Sequence, residues 1–303
     1  MRRLLALLLS LAAASTAAGC GERATASGKL AVVTAFYPLQ FLSERIGGDA
    51  VTVTNLTKPG AEPHDIELNP RQVGQIAEAG LAVYLAGFQP AVDDAVAQEA
   101  ADRSFDAASV VPLLPAVDDG EAEPGEEHAE AAGGRDPHVW LDPVRFATIA
   151  GKLAERLGQA DPAHAADFTA RAAALRTELA AVDDAYAKGL QTCQRRELVT
   201  SHTAFHYLTD RYRLTQVGIT GISPEAEPSA HRLARVVAEA RATGTTTIFF
   251  ETLVSPKVAE TIARTVGAKT AVLDPLEGRS GSGDYLAVMR DNLAALTTAL
   301  GCQ

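Results

Sequence analysis

Three features of the sequence predict an α/β fold of two parallel-sheet lobes joined by one long rigid helix. Short β-branched apolar runs alternate with helical-period stretches between residues 29 and 116. The same alternation returns after residue 192, and an Ala-rich, almost wholly helical stretch lies between the two. Strands that alternate with helices imply a parallel sheet with helices on both faces. Two such halves around a helical connection make a bilobed molecule, here a 29–160 lobe, a 161–191 linking helix and a 192–303 lobe.

The chain of 303 residues is 47% apolar and 21% charged, enough to bury large cores. Its start reads as an export signal of residues 1–20: Arg2 and Arg3, the apolar run Leu4 to Ala14, then Ala17-Ala18-Gly19-Cys20. The run is too short to span a bilayer as a stable helix. A Cys directly after Ala-Gly resembles a bacterial lipobox, in which Cys20 is lipid-modified and heads the mature chain. Residues 21–28 follow as a polar tether. The predicted address is therefore extracytoplasmic, on the cell surface or periplasmic side, anchored to the membrane by lipid.

In the first half, Lys29–Ala35 reads as a strand and Tyr37–Ile46 as a helix stopped by Gly47-Gly48. Val51–Leu56 alternates as a strand and runs into a loop carrying His64. Asn69-Pro70 starts a helix with Pro at its first position. Leu81–Ala86 is a strand and Pro90–Glu99 a helix. Residues 117–135 hold seven acidic residues with Gly, Pro and His128, and read as an exposed mobile loop. From Val144 the pattern is helical. Asp161-Pro162 breaks it as an N-cap with Pro at the next position, so Pro162 to about Leu190 forms a single helix of about 40 Å.

In the second half the predicted strands are Glu197–Ser201, Gln216–Thr220, Thr245–Glu251 and Lys269–Leu273. The helices are Ala204–Arg213, Ser229–Ala242, Ser255–Val266 and Asp284–Leu300. Cys193 and Cys302 remain as an even pair in an exported chain, so they are expected to form a disulfide that ties the C-terminus to the start of the second lobe. The formal net charge of −11 argues against nucleic acid, whose phosphates need a basic face.

The candidate site gathers from four loops. His138 lies in Asp136-Pro137-His138-Val139-Trp140-Leu141-Asp142-Pro143, which holds the only Trp, and its flanking prolines restrict the backbone before anything binds. His64 lies in Gly60-Ala61-Glu62-Pro63-His64-Asp65, His202 follows Ser201, and Asp274 sits in Leu273-Asp274-Pro275-Leu276. Ligands in open parallel sheets gather outside the carboxyl ends of strands, where His202, Asp274 and, through a longer loop, His64 fall. Each has an ordinary alternative: His64 as a surface histidine, His202 at a helix start, Asp274 as a turn starter. His206 stands four residues after His202, a spacing that can chelate metal from one helical face. Glu251, at a strand end, and Glu62 are further carboxylate candidates. His164 and His231 read as solvated.

Three imidazoles and a carboxylate suit a borderline cation such as Zn2+, and lean away from cations that prefer all-oxygen shells. Protein ligands in every position make a holding site rather than a catalytic one. The four motifs, with Ser223-Pro224-Glu225-Ala226-Glu227-Pro228-Ser229, resemble the metal-binding lipoproteins of bacterial zinc and manganese ABC importers over essentially the whole mature chain. The resemblance implies two (β/α) lobes on a long helix, metal in the cleft and delivery to a membrane permease. It implies His64, His138, His202 and Asp274 as ligands. Manganese members usually carry Glu at the third position, so His202 favours zinc. Many zinc members have a His-rich loop where this chain has an acidic one, which argues against extra capture there. The expected protein is a monomeric zinc receptor and no enzyme. Its rivals are a manganese or iron receptor, an exported zinc hydrolase and a surface adhesin. No His-Glu-x-x-His helix supports the hydrolase.

Overall fold

The computed structural model describes residues 28–117, 134–279 and 283–303. The export signal with Cys20, nearly all of the tether, and most of the acidic loop with His128 lie outside the described residues. Among the described residues no helix is long and apolar enough to cross a membrane.

The first half contains strands β1 (Leu30–Thr34), β2 (Val51–Asn55), β3 (Leu81–Tyr84) and β4 (Ser104–Asp106), with helices α1 (Tyr37–Gly47), α2 (Pro70–Glu78) and α3 (Pro90–Glu99). The strands form a parallel sheet in the order β2-β1-β3-β4. Asn69 caps α2 as the sequence predicts. Its side chain accepts from the amides of Arg71 and Gln72, while the Gln72 side chain accepts from the Asn69 amide. The edge strand β4 goes unpredicted, because Ser-Phe-Asp is too short to show alternation.

Helix α4 (Pro143–Ala160) and helix α5 (Ala165–Gly189) follow. The predicted continuous helix from Pro162 is corrected: residues Pro162–His164 form a tighter 3-10 turn, and α5 begins only afterwards. Its 25 residues still span about 37 Å. Helix α5 packs on α4 and α1, and on the last helix of the chain.

The second half contains β5 (Glu197–Thr200), α6 (His206–Tyr212), β6 (Thr215–Gly218), α7 (Ala230–Ala242), β7 (Thr247–Phe250), α8 (Lys257–Val266), β8 (Lys269–Val272) and α9 (Tyr285–Leu300). Its sheet order, β6-β5-β7-β8, repeats the first in every parallel pairing. Each predicted strand and helix of this half is present, trimmed by one or two residues at most ends.

The two halves are welded rather than merely tethered. One apolar core runs from Val32 and Phe36 through Trp140, Phe146, Leu175 and Tyr186 to Tyr285 and Leu296. A smaller cluster, including Val199, Val236, Ile248 and Ile262, lies within the second half. Trp140 Nε1 donates to Pro275 O at 2.7 Å, and Tyr285 Oη donates back to Trp140 O. Tyr207 Oη accepts from the Leu114 amide and donates to Asp136 O, gripping both strands at the base of the 117–135 segment. The predicted disulfide is present: Cys193 and Cys302 join where Gln194, Arg195 and Gln303 pair with the chain end and Thr192.

Candidate metal centre

The strand order reverses at β1/β3 and at β5/β7, and such switch points leave a crevice at the carboxyl ends of the strands. His202 follows β5 directly. His64 reaches the crevice on the loop after β2, which turns at Gly60, whose φ of +79° a side chain would resist. His138 ends the long segment after β4, just ahead of the buried turn Val139–Leu141. The fourth group is Glu277, five residues beyond β8. All four are buried, Glu277 and His138 completely.

The three imidazoles converge on one oxygen. Glu277 Oε1 lies 3.0 Å from His202 Nε2, 3.1 Å from His138 Nε2 and 3.4 Å from His64 Nε2. The ligand-capable atoms of the four residues all lie within 4.8 Å of one another. A tetrahedral zinc site with bonds of about 2.0–2.1 Å separates its ligand atoms by about 3.4 Å. The three distances from Glu277 Oε1 to the imidazole nitrogens fall within a few tenths of an ångström of that, and no pair among the four donors is more than 4.8 Å apart, so side-chain adjustments can bring the four around such an ion.

Two of the histidines are backed by further carboxylates. His138 Nδ1 donates to Asp136 Oδ1 at 2.8 Å, and that oxygen also accepts the His138 amide. His202 Nδ1 donates to Glu251 Oε1 at 2.7 Å, which Ser201 Oγ also approaches at 2.6 Å. Such outer carboxylates fix the ring orientation and direct the other nitrogen at the metal. Burial alone would lower the pKa of both histidines, but flanking carboxylates outweigh it: Asp136 and Glu277 raise His138, and Glu251 and Glu277 raise His202 well above the usual value. His64 differs: burial dominates and lowers its pKa, with Glu277 as the opposing charge. Burial would likewise raise Glu277, yet the histidine charges and donors hold it well below the carboxylate range.

Of the predicted site residues, His64, His138 and His202 come together and Asp274 does not join them. Asp274 Oδ1 accepts from the Leu276 amide and Oδ2 accepts from Thr252 Oγ1. It is the turn starter that Asp before Pro commonly is, and the turn it starts presents Glu277 three residues later. The signal for Glu277 lay in the sequence as a carboxylate just past a strand and a turn, the same pattern that drew attention to Asp274. Glu251 lies at the site as the partner of His202. Glu62 lies beside it, its carboxylate accepting from the His64 amide, and burial pushes its pKa to about 7. His206 does not share a helical face with His202, because α6 starts only at His206. Its Nδ1 instead lies 3.4 Å from Asp136 Oδ2. His164 and His231 are exposed, as predicted.

Comparison with known proteins agrees with this geometry. Residues 32–299 match the family described as zinc-uptake complex component A periplasmic (ZnuA). The zinc-binding lipoprotein AdcA of Streptococcus pneumoniae is 36% identical, over 98% of this chain and 60% of its own length. The chain thus spans about 60% of that relative. The Zn(II)-bound ZnuA-like domain of Streptococcus pneumoniae AdcA superposes with a TM-score of 0.75 at 34% identity, covering 90% of this chain and 99% of the domain. The laminin-binding protein of Streptococcus agalactiae, described as bifunctional with adhesin and metal transporting activity, gives a TM-score of 0.80 at 33% identity, covering 89% of this chain and 99% of its own. With one family matched across both lobes and relatives above 30% identity along nearly all of its length, this chain belongs to the ZnuA family of zinc-uptake components.

Proposed function

We propose that this protein captures Zn2+ outside the cytoplasm and hands it to the membrane permease of an ABC importer, held at the membrane by lipid on Cys20. The observation that carries this reading is the convergence of three imidazole Nε2 atoms and Glu277 Oε1 in a buried cleft, at spacings suited to a tetrahedral ion. We assign His64, His138, His202 and Glu277 as the ligands, with Asp136 and Glu251 orienting two of them. Three nitrogen donors favour zinc over manganese. Four protein donors fill a tetrahedral shell and leave no position for an activated water, which favours a carrier over a hydrolase. The zinc-binding relatives support the choice of metal.

Residues 21–303, stripped with chelator and titrated calorimetrically with Zn2+ and then Mn2+, test the reading. One-to-one zinc binding, tighter than manganese and weakened in His202→Glu, is the expected result. Preference for Mn2+, or no effect of the substitution, overturns it.

A further inference from the structure

The turn that carries Glu277 is built in an unusual way. Leu276, the residue before it, has φ +62°. Among the described residues only Leu276 and Arg213 are non-glycine residues in the left-handed region, and Arg213 merely ends a helix. A branched, buried leucine adopts that conformation only when its surroundings over-determine it.

Here the surroundings come from three directions. From within the turn, Asp274 Oδ1 accepts the Leu276 amide at 2.8 Å. From α9, Asn292 closes a two-point clamp on Asp274: its Oδ1 accepts the Asp274 amide, and its Nδ2 donates to the Asp274 carbonyl. From the other lobe, Trp140 Nε1 donates to the Pro275 carbonyl. On the far side of Glu277 stands Gly278, where an added Cβ would lie 2.9 Å from Leu253 Cδ1 and 3.3 Å from the Ala61 carbonyl. The missing side chain lets this loop nest against the loop that carries His64.

Trp140 is two residues from His138, so the indole links one histidine-bearing segment of the first lobe to the carboxylate-bearing turn of the second. We infer that Asp274 and Trp140 are positioning residues for zinc: Asp274 holds the left-handed turn, and Trp140 holds that turn in register with His138. This rests on the zinc reading above and assigns a role to two residues that touch no metal. A carboxylate misplaced by an ångström would still be present but would no longer meet the three histidines.

The test compares Asp274→Ala, Asp274→Asn and Trp140→Phe with wild type, by zinc calorimetry and by thermal melting of the metal-free protein. Asparagine keeps an oxygen that can accept the Leu276 amide, so Asp274→Asn should bind zinc close to wild type, whereas Asp274→Ala should weaken binding about 10–100-fold. Trp140→Phe keeps aromatic packing but loses the donor to Pro275, and should weaken zinc several-fold through faster release, even if Asp274→Ala does not fold. If Asp274→Asn and Asp274→Ala lose zinc equally, Asp274 is itself a ligand and the inference fails. It fails also if Asp274→Ala and Trp140→Phe melt lower yet bind zinc like wild type, since the network would then be structural only. Wild type that binds no zinc overturns the earlier reading, a result distinct from either.

Discussion

His138 and His202 each stand between two carboxylates, whereas His64 meets only Glu277 at its inner nitrogen and is held at its backbone by Glu62. The first two are fully buried and locked at both ring nitrogens; the third rides a loop that turns at Gly60. One cleft thus contains two kinds of histidine. The locked pair sets geometry in advance, and the loop histidine completes it. Preorganised groups add affinity by lowering the ordering cost of binding.

The largest effect should come from the group common to all three histidines. Glu277→Gln removes the charge on which they converge, and zinc affinity measured by competition with a chelator should fall beyond the roughly 10–100-fold typical of outer partners. A loss no greater than that of Glu251→Gln would demote Glu277 from ligand to neighbour. Next, Glu251→Gln and Asp136→Asn should each weaken zinc within that 10–100-fold range, while a change at Glu62, which touches only the backbone amide of His64, should cost less. Equal losses at all three positions would erase the distinction between the histidines.

Proton competition sharpens it further. A histidine with a raised folded pKa stabilises the metal-free protein below its unfolded value of about 6.5, and that contribution is lost as pH rises through the folded value. His138 and His202 act in this sense, and the raised carboxyl of Glu62, near 7, adds to it; His64, lowered, acts the opposite way. The melting temperature of the metal-free protein should therefore fall from about pH 6 to 8, while the increment added by zinc grows, because zinc must displace the same protons. A zinc increment independent of pH would show that neither histidine carries a proton before binding. The smallest effect on zinc should come from the disulfide, which lies at the chain end and away from the four ligands. Cys193→Ser with Cys302→Ser should cost about 2–5 kcal/mol of stability by chemical denaturation, with zinc affinity nearly unchanged.

Much of this was legible in the sequence because the relevant signals are local. Asn69-Pro70, Ser229 and Asp284 announce helix starts that the structure caps through those side chains. Short apolar, β-branched runs marked all strands but β4, whose three residues are too few to show a pattern. His64 and His202 were legible because each sits in a loop after a strand-like run, and His138 because prolines and the only Trp mark its segment. In the sequence Asp274 is the fourth candidate, whereas the structure brings Glu277 beside the three histidines; both residues follow β8, and the left-handed turn at Leu276 lies between them. That conformation leaves no mark in a sequence, as leucine has no preference for it. The break between α4 and α5 was placed correctly at Asp161-Pro162, but the first turn tightened into a 3-10 form that composition does not distinguish.

The double carboxylate embrace of His138 and His202 has a consequence for the electrical balance of the cleft. While both rings are protonated, the empty site already holds two positive charges among its carboxylates. When a divalent ion enters and those two Nε2 protons leave, the sum is unchanged, and a buried charge is never left without its counterpart. Loading in that state would exchange protons for metal, so the carboxylates that raise His138 and His202 also make metal entry sensitive to pH.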